Sequence, residues 1–383
     1  MARWYEYDAW ERGERRQLVV WWQADIARQR GRPDQGPPLE EAEVRRALGL
    51  LQQGFMSKAA NLLTGFGLGD TSDPKVVAQL RKKHPQATVA EYDRRRVLAT
   101  SILGAGMAKL PDLDIREHVR KLPDRSGTGP DGSRNEFLKA LVQKFSDPEA
   151  AKAIDALSDF EGLYSSGGLP LWFYPAYSGT LLLALNKKAP VPGETTGARP
   201  LGLKNVVPRL FSRSRTHEAK AEIREYLGHT QVAVGHSDGS GLLVNFVREM
   251  LIANPSFIVA KADIDNAFME FFREIVFETL ADGDVASGLP AKAVTKARGH
   301  LQAPFLAEYM QPHPIFFPNG ERADFDSQRG GDQGDPRMPT IFCIALRNAL
   351  VALDGTLRTH GGGILGAPWR RWMTRTSAAH KRS

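Results

Sequence analysis

Two acids lie close together in the segment FIVAKADIDNAF, which covers positions 257–268. The apolar run 257–260 predicts a buried strand that leads to Asp263, and a helix is expected over Phe268–Leu280. A carboxylate at the end of a strand, beside a second acid such as Asp265, can hold a hard divalent cation against phosphate groups. Either acid could instead cap the following helix, and an Asp-Ile-Asp triplet would also suit a metal-dependent sugar transferase.

A glycine-rich segment, SQRGGDQGDPRMPTIF at 327–342, is the second candidate site. Its glycines Gly330, Gly331 and Gly334 allow the backbone to approach a ligand closely or to adopt a positive φ. The amide of Gln333 could hydrogen-bond the edge of a base or a sugar. The simpler interpretation is a Gly/Pro turn that leads into a buried helix.

A basic loop with Lys187, Lys188 and Arg199 is the third candidate site. Cations beside a Gly/Pro-rich hairpin suit a triphosphate or the backbone of a template strand, although any one of them could be a solvated surface charge. The whole chain carries a formal net charge of +7. This charge favours a polyanionic partner, of which nucleic acid is the commonest.

The composition indicates a globular protein, because 42% of its residues are hydrophobic and 25% are charged. The single cysteine, Cys343, excludes internal disulfides and a Cys-based zinc cluster, and it fits a reducing compartment. No apolar stretch approaches membrane-spanning length, and the N-terminus lacks the core of a signal peptide. We therefore expect a protein that has no membrane partner and is intracellular, nuclear or cytoplasmic, and not secreted.

Periodicity and turn residues predict the elements that position these segments. Strong turn signals stand at 31–38 and 123–134, and an apolar run at 181–185 is separated by a Pro/Gly-rich loop from ARPLGL at 198–203. Alternating helices and short strands indicate a mixed α/β fold. Besides the helix that follows Asp263, the helices are predicted near 39–53, 55–63, 74–83, 136–145 with Asn135 as N-cap, 242–250 and 340–353.

Five motifs occur in the order in which reverse transcriptases carry them, and they resemble most closely the non-LTR retrotransposon type. They are GPDG at 129–132, ARPLGL at 198–203, QVAVGHSDGSG at 231–241, ADIDNAF at 262–268 and QGDP at 333–336. The resemblance spans about 123–353. It implies a helix-rich α/β (α+β) fold with the fingers and palm of a right-hand polymerase over 123–357. A helical N-terminal extension is expected over 1–122, and a basic, disordered or frameshifted tail over 358–383.

The resemblance also implies a role for individual residues. Asp263 matches the first catalytic aspartate, which bridges two Mg²⁺ ions, and Ile264 would offer its carbonyl to one of them. Phe268 matches the aromatic gate that excludes a ribose 2′-hydroxyl and thus favours DNA synthesis. The residues implied in nucleotide binding are Phe268, Lys187, Arg199, Gln333 and Gly334. The implied reaction is Mg²⁺-dependent transfer from dNTPs to a DNA primer on an RNA template; protein partners stay unknown.

Two departures from the family pattern stand out. Arg337 begins a triplet that in the family reads Leu-Ser-Pro or Leu-Gly-Pro, so its charge is expected to be either exposed or damaging. Further on, the family has a hairpin with an Asp-Asp pair, the second half of the metal site, whereas Asp354 is the only acid in 354–383. The thumb is also missing. We therefore expect an incomplete palm and a chain that is inactive or nearly so.

The tail suggests how the Asp-Asp pair was lost. The codons of Trp372, Met373 and Thr374, read one base earlier, encode Leu, Met or Val followed by Asp-Asp. This pattern predicts a frameshift between Leu353 and Trp372, which sequencing the transcript would test. Two alternatives stay open: a non-catalytic nucleic-acid-binding protein and a retroelement relic. An RNA-directed RNA polymerase is disfavoured by Phe268.

Overall fold

A computed structural model of the chain describes residues 67–359, with gaps at 105–109, 125, 145, 188–196, 229–230, 233, 235–238, 257, 260–262 and 283–294. Several sequence-based expectations therefore lie outside the described residues. These are the helices predicted over 39–53 and 55–63, the role of Lys188, and the tail with its frameshift.

The described residues form twelve α-helices and four β-strands, which confirms the prediction of a mixed, helix-rich α+β protein. The helices are α1 (Pro74–Lys82), α2 (Val89–Gly104), α3 (Ile115–Arg120), α4 (Asn135–Gln143), α5 (Pro148–Ser165), α6 (Phe173–Tyr177), α7 (Val206–Leu227), α8 (Gly239–Ala253), α9 (Ala267–Glu270), α10 (Arg273–Asp282), α11 (Thr295–Tyr309) and α12 (Met338–Thr359). The strands are β1 (Thr180–Asn186), β2 (Ala198–Lys204), β3 (His313–Phe316) and β4 (Arg322–Ser327).

The strands form one mixed sheet in the order β2-β1-β3-β4. The β1–β2 and β3–β4 pairs are antiparallel, whereas β1 and β3 are parallel, with Thr180 opposite Ile315. Alternate residues of a strand point to the same face. In β1 this alternation buries Leu182 and Ala184 against Val76 and Leu80 of α1. The apolar run at 181–185 thus becomes the inner strand of the hairpin that carries Lys187 and Arg199.

Local sequence explains where α1 and α5 begin. Asp73 accepts a hydrogen bond from the backbone N–H of Lys75, and Asp147 does the same for Glu149. A proline follows each aspartate, and its fixed φ suits the first helical position. The helix predicted over 74–83 is therefore confirmed.

The largest hydrophobic core is formed mainly by α7, α10, α11 and α12. Met338, Ile341 and Ile344 of α12 are almost fully buried in it. Cys343 is also buried, and burial raises the pKa of its thiol to about 11. Cys343 thus packs in the core as a small, mainly apolar side chain.

One of the described helices, α12, is long and apolar enough over Met338–Leu357 to cross a membrane, a length that inspection of the sequence had not anticipated. A single helix of this kind is weak support for a membrane segment, because the core helix of a soluble protein meets the same criteria.

A second core lies around the aromatic rings of Tyr164, Tyr174 and Phe211, to which α3 and α4 add Ile115 and Val142. The described residues belong to one compact unit. In this unit α2 is held to later elements by Arg95, which pairs with the buried Glu274 of α10. The proposed domain boundaries at 122/123 and 357/358 stay predictions.

The strand expected over 257–260 is wrong for the residues that are described. Ile258 is 93% exposed and Val259 is 54% exposed, and neither belongs to a strand. An apolar run forms a strand only where a neighbouring strand pairs with its backbone groups. None of the four described strands pairs with these two residues.

Two helix predictions need smaller corrections. Asn135 is the first helical residue of α4 and Arg134 precedes it as N-cap, because the Asn135 amide donates to the Pro123 carbonyl (2.7 Å). Phe137 of α4 is exposed. The helix expected over Phe268–Leu280 is divided into α9 and α10 by an extended Phe271.

Candidate functional site

The QGDP turn packs directly on the ARPLGL strand. A Cβ atom on Gly334 would overlap the carbonyl oxygen of Gly202 in β2, so only glycine allows this approach. Two residues before Gly334, the Asp332 carboxylate accepts hydrogen bonds from Thr180 Oγ1 (2.8 Å) and from His313 (2.9 Å). The turn that presents Gln333 and Gly334 is thus fixed to three adjacent strands.

The other end of the same loop packs on the segment that follows Asp263. The Gly331 N–H donates to the Phe268 carbonyl (2.7 Å), and the Gly330 N–H donates to the Phe271 carbonyl (3.0 Å). Gly330 has a φ of +51°, and a Cβ atom there would overlap the Phe268 carbonyl oxygen. The hydrogen bond to Phe271 also explains why the helix is interrupted at that residue.

Arg273, for which the sequence suggested no role, binds the backbone of this loop through its guanidinium. It is fully buried and donates to the carbonyls of Gly330 (2.7 Å) and Tyr309 (3.0 Å) and to Ser327 Oγ (3.0 Å). Burial lowers the pKa of its guanidinium to about 10. Arg273 is therefore a structural connector between α10, β4 and the glycine-rich loop.

Asp263 and Ile264 are exposed on a loop that ends in an unusual backbone conformation. Asn266 has a φ of +55°, the left-handed region that asparagine tolerates better than most residues. Its side-chain amide donates to the carbonyl of Lys83 (2.8 Å), just past the end of α1. The loop with Asp263 is in this way joined to the end of α1.

Lys187 and Arg199 come together with a third cation, Lys83, which sequence reasoning missed. Burial and the neighbouring Lys187 lower the pKa of Lys83, Arg199 acts in the same direction, and Asp265 opposes them. Lys187 and Arg199 are exposed at the end of the β1–β2 hairpin. Cations that lie this close create a positive potential that attracts polyanions. We call Lys83, Lys187 and Arg199 the basic cluster.

Phe268 contacts the glycine-rich loop at Gly331, and Gln333 lies two residues further along that loop. Both side chains are half-buried. The Phe268 ring meets the ring of Phe342 in α12 edge to face, with 5.6 Å between centroids. Its main chain contacts Gly331, as described above. The structure therefore brings Phe268 to the loop that carries Gln333, while its role as a gate stays a prediction.

Arg337 is not exposed, which contradicts the first of the two sequence-based expectations; whether its charge is damaging stays a prediction. It is fully buried and pairs with Glu308 of α11 (2.6 Å) and Asp335 (2.9 Å). The buried Lys204 of β2 pairs with the same two acids, at 2.7 Å and 3.2 Å. Although burial opposes it, Arg337 and Lys204 hold the pKa of Asp335 well below its usual range. We call Lys204, Glu308, Asp335 and Arg337 the buried ion cluster.

The GPDG motif lies against the end of β2. The backbone N–H of Asp131 donates to Asn205 Oδ1 (3.0 Å), and the Asn205 amide donates to the Tyr177 carbonyl (3.2 Å). Four of the five motifs thus meet around β2 and the loop over 329–336. The fifth motif, QVAVGHSDGSG, is described only in part; its Gln231 donates to Cys343 Sγ (2.9 Å).

The described residues do not form a two-ion Mg²⁺ site. Within the described ranges, no group of three or more Asp, Glu, His or Cys side chains could hold a metal ion. The carboxylates of Asp263 and Asp265 are exposed, and a pair of bridged ions requires ligands on more than one side. The Asp263 loop therefore supplies at most one part of such a site.

No known protein-family model matches this chain. The resemblance to reverse transcriptases rests on the order of the motifs, and the contacts between four of them are independent of that order.

Proposed function

We propose that this chain is the fingers and palm of a reverse-transcriptase-type polymerase that binds nucleic acid and nucleotide but does not complete catalysis. The single observation that carries the proposal is the contact of Gly334 with Gly202, which joins the QGDP and ARPLGL motifs although they are distant in the sequence. The contact brings together two motifs that the resemblance assigns to one nucleotide-binding site.

The charge distribution supports a polyanionic ligand. The basic cluster lies at the end of the hairpin formed by β1 and β2, and Asn266 joins the loop with Asp263 to the backbone of Lys83. Phosphates of an incoming dNTP or of a template strand would find three cations there, with Gln333 available for a base or a sugar. An RNA template, a DNA primer and a dNTP are accordingly the proposed partners.

The chain is proposed to be inactive because the metal site is incomplete. Transfer to a primer 3′ end needs carboxylates that bind both ions of the pair. Asp263 is exposed and the described residues offer no cluster that completes its coordination. We therefore propose that polymerisation was the reaction of an ancestor, and that this chain itself only binds nucleic acid and nucleotide.

Two measurements on the full chain test the proposal. Primer extension on an RNA template with dNTPs and Mg²⁺ is expected to yield no product, and robust synthesis that Asp263→Ala abolishes would refute inactivity. Incorporation of rNTPs would indicate an RNA polymerase instead. Fluorescence anisotropy is expected to show salt-dependent binding of an RNA–DNA hybrid.

A matched pair of variants locates this binding. Arg199→Gln removes a charge from the basic cluster and is expected to weaken binding of the hybrid and of dNTP. Arg322→Gln removes an exposed arginine that pairs with Asp326 on β4, at the opposite edge of the sheet, and should leave binding unchanged. A wild-type chain that binds neither ligand would refute the proposed function.

A further inference from the structure

Helix α7 presents two different faces. Its buried face includes Leu210, Phe211 and Ala219, which pack in the two hydrophobic cores. The face that remains carries Arg213, Thr216, His217 and Lys220, and positions three, four and seven residues apart lie on one side of a helix. Arg213, His217 and Lys220 are exposed.

A cavity of about 280 Å³ lies between this face and the segment that follows the QGDP turn. Its other walls are Val234, Pro336, Pro339 and Thr340. Pro336 is only two residues from Gly334. The cavity therefore lies next to the turn that presents Gln333. We call it the α7 cavity.

The cations of the α7 cavity have no acidic partner in the described part of the chain. Arg213 and Lys220 form no ion pair there, whereas the buried Lys204 and Arg337 each pair with two carboxylates. Two cations that face one cavity without a counter-charge leave a site that an anion can neutralise.

The acids of α7 do not line the α7 cavity. Glu218, Glu222 and Glu225 line a different cavity of about 570 Å³, together with Arg224. The described lining of the α7 cavity therefore contains cations and no acid, which suits an anion.

We infer that the α7 cavity binds the phosphodiester backbone of the nucleic-acid strand that lies across the QGDP turn. The inference rests on the proposed function and adds a second contact region to the basic cluster. Arginine can bind a phosphate through two parallel N–H donors and lysine as a point charge, and the rings of Pro336 and Pro339 offer an apolar wall to a sugar. Such contacts fix the register of a strand without reading its sequence.

The test measures how binding of a labelled single-stranded RNA depends on salt. Loss of each phosphate contact makes the slope of log affinity against log salt shallower by about 0.7 for a single strand. Arg213→Gln combined with Lys220→Gln should therefore reduce the slope by about 1.4, and narrow the ratio of affinities between about 50 and 200 mM salt by about 7-fold. Both residues are exposed, so the variant is expected to fold, which thermal unfolding would verify.

Two control variants define the result. Arg213→Lys with Lys220→Arg keeps both charges and should keep the wild-type slope, as should Arg224→Gln, which removes a cation from the acid-lined cavity of the same helix. If the double Gln variant keeps the wild-type slope while Arg199→Gln weakens binding, the inference is refuted and the proposed function stands. If the double Gln variant weakens dNTP binding but not RNA binding, the cavity is a free-nucleotide site and the inference is also refuted. A wild-type chain that does not bind RNA refutes both.

Discussion

The loop over 330–337 and the segment over 258–264 are two parts of one candidate site, and they differ in how they are held. Asp332, Asp335 and Arg337 are buried and bonded to neighbouring elements. Ile258 and Val259 are apolar and yet exposed, with no described strand beside them. Each part carries one of the motifs that resemble a polymerase, but only the first has the surroundings that such a motif needs.

The difference teaches that a motif is shaped by its partners as much as by its own residues. The loop has partners on β1, β2, β3 and α11, so its glycines and charges are fixed. None of the four described strands pairs with Ile258 or Val259, so their apolar side chains stay exposed.

The largest predicted effect comes from breaking the buried ion cluster. Arg337→Leu introduces the residue that the family resemblance favours, but it leaves Asp335 and Glu308 buried with Lys204 as their one remaining cation in the cluster. The free energy of unfolding, measured in urea, should fall by about 3–5 kcal/mol. Arg322→Leu breaks an exposed pair and should cost less than about 1 kcal/mol.

A second substitution distinguishes charge imbalance from lost packing. Arg337→Leu combined with Glu308→Leu removes one charge of each sign and leaves Lys204 with Asp335, so it should recover more than half of the loss. If the double variant is less stable than Arg337→Leu, the cluster acts through packing and not through paired charges.

The next effect concerns the close approach of the QGDP turn to β2. Gly334→Ala places a methyl group at the Gly202 carbonyl oxygen and should lower the free energy of unfolding by about 1–3 kcal/mol. Gly355→Ala is the matched control, because the new methyl group in α12 meets open space, and there a helix gains up to about 1 kcal/mol from alanine. Equal stabilisation by both changes would mean that the turn does not lie on β2.

The stability of the protein is expected to depend on pH through the buried His313. Burial lowers the pKa of His313, although the adjacent Asp332 opposes this shift. If the neutral ring carries its proton on Nε2 and donates it to Asp332, only the unprotonated Nδ1 is left without a partner among the described residues. Because the unfolded chain binds a proton at His313 more readily, the free energy of unfolding should fall as pH decreases from 7 to 5. His313→Gln should make this fall smaller. A fall that His313→Gln leaves unchanged would mean that folding does not shift the pKa of His313, and a larger fall would mean that the imidazole is charged in the fold.

The helices that have a capping residue or an apolar stripe in their own sequence were predicted. The Asp-Pro start of α1 and the apolar stripes of α8 and α12 were enough to place these helices. The sequence did not reveal α7, because Ser212, Ser214 and Arg215 face the interior and interrupt its apolar stripe.

The site was predicted where residues form a motif and was missed where tertiary packing supplies them. Gln333, Gly334 and Arg199 stand in recognisable patterns. Lys83, Lys204, Glu308 and Arg273 contact residues that are distant from them in the sequence, so no local pattern could indicate these contacts. Only the fold shows that Arg337 has two carboxylates beside it.

The smallest predicted effect tests the other side of the comparison. Ile258→Ala removes an exposed side chain and should change the free energy of unfolding by less than about 0.5 kcal/mol. The same substitution at Ile315, which is fully buried in β3, should cost about 2–5 kcal/mol. If both variants lose the same stability in urea, Ile258 lies in a buried strand as the sequence first suggested, and the segment that carries Asp263 is as firmly held as the loop that carries Gln333. A large difference instead means that the Ile258 side chain is not buried and that the segment before Asp263 is less firmly held than the loop that carries Gln333.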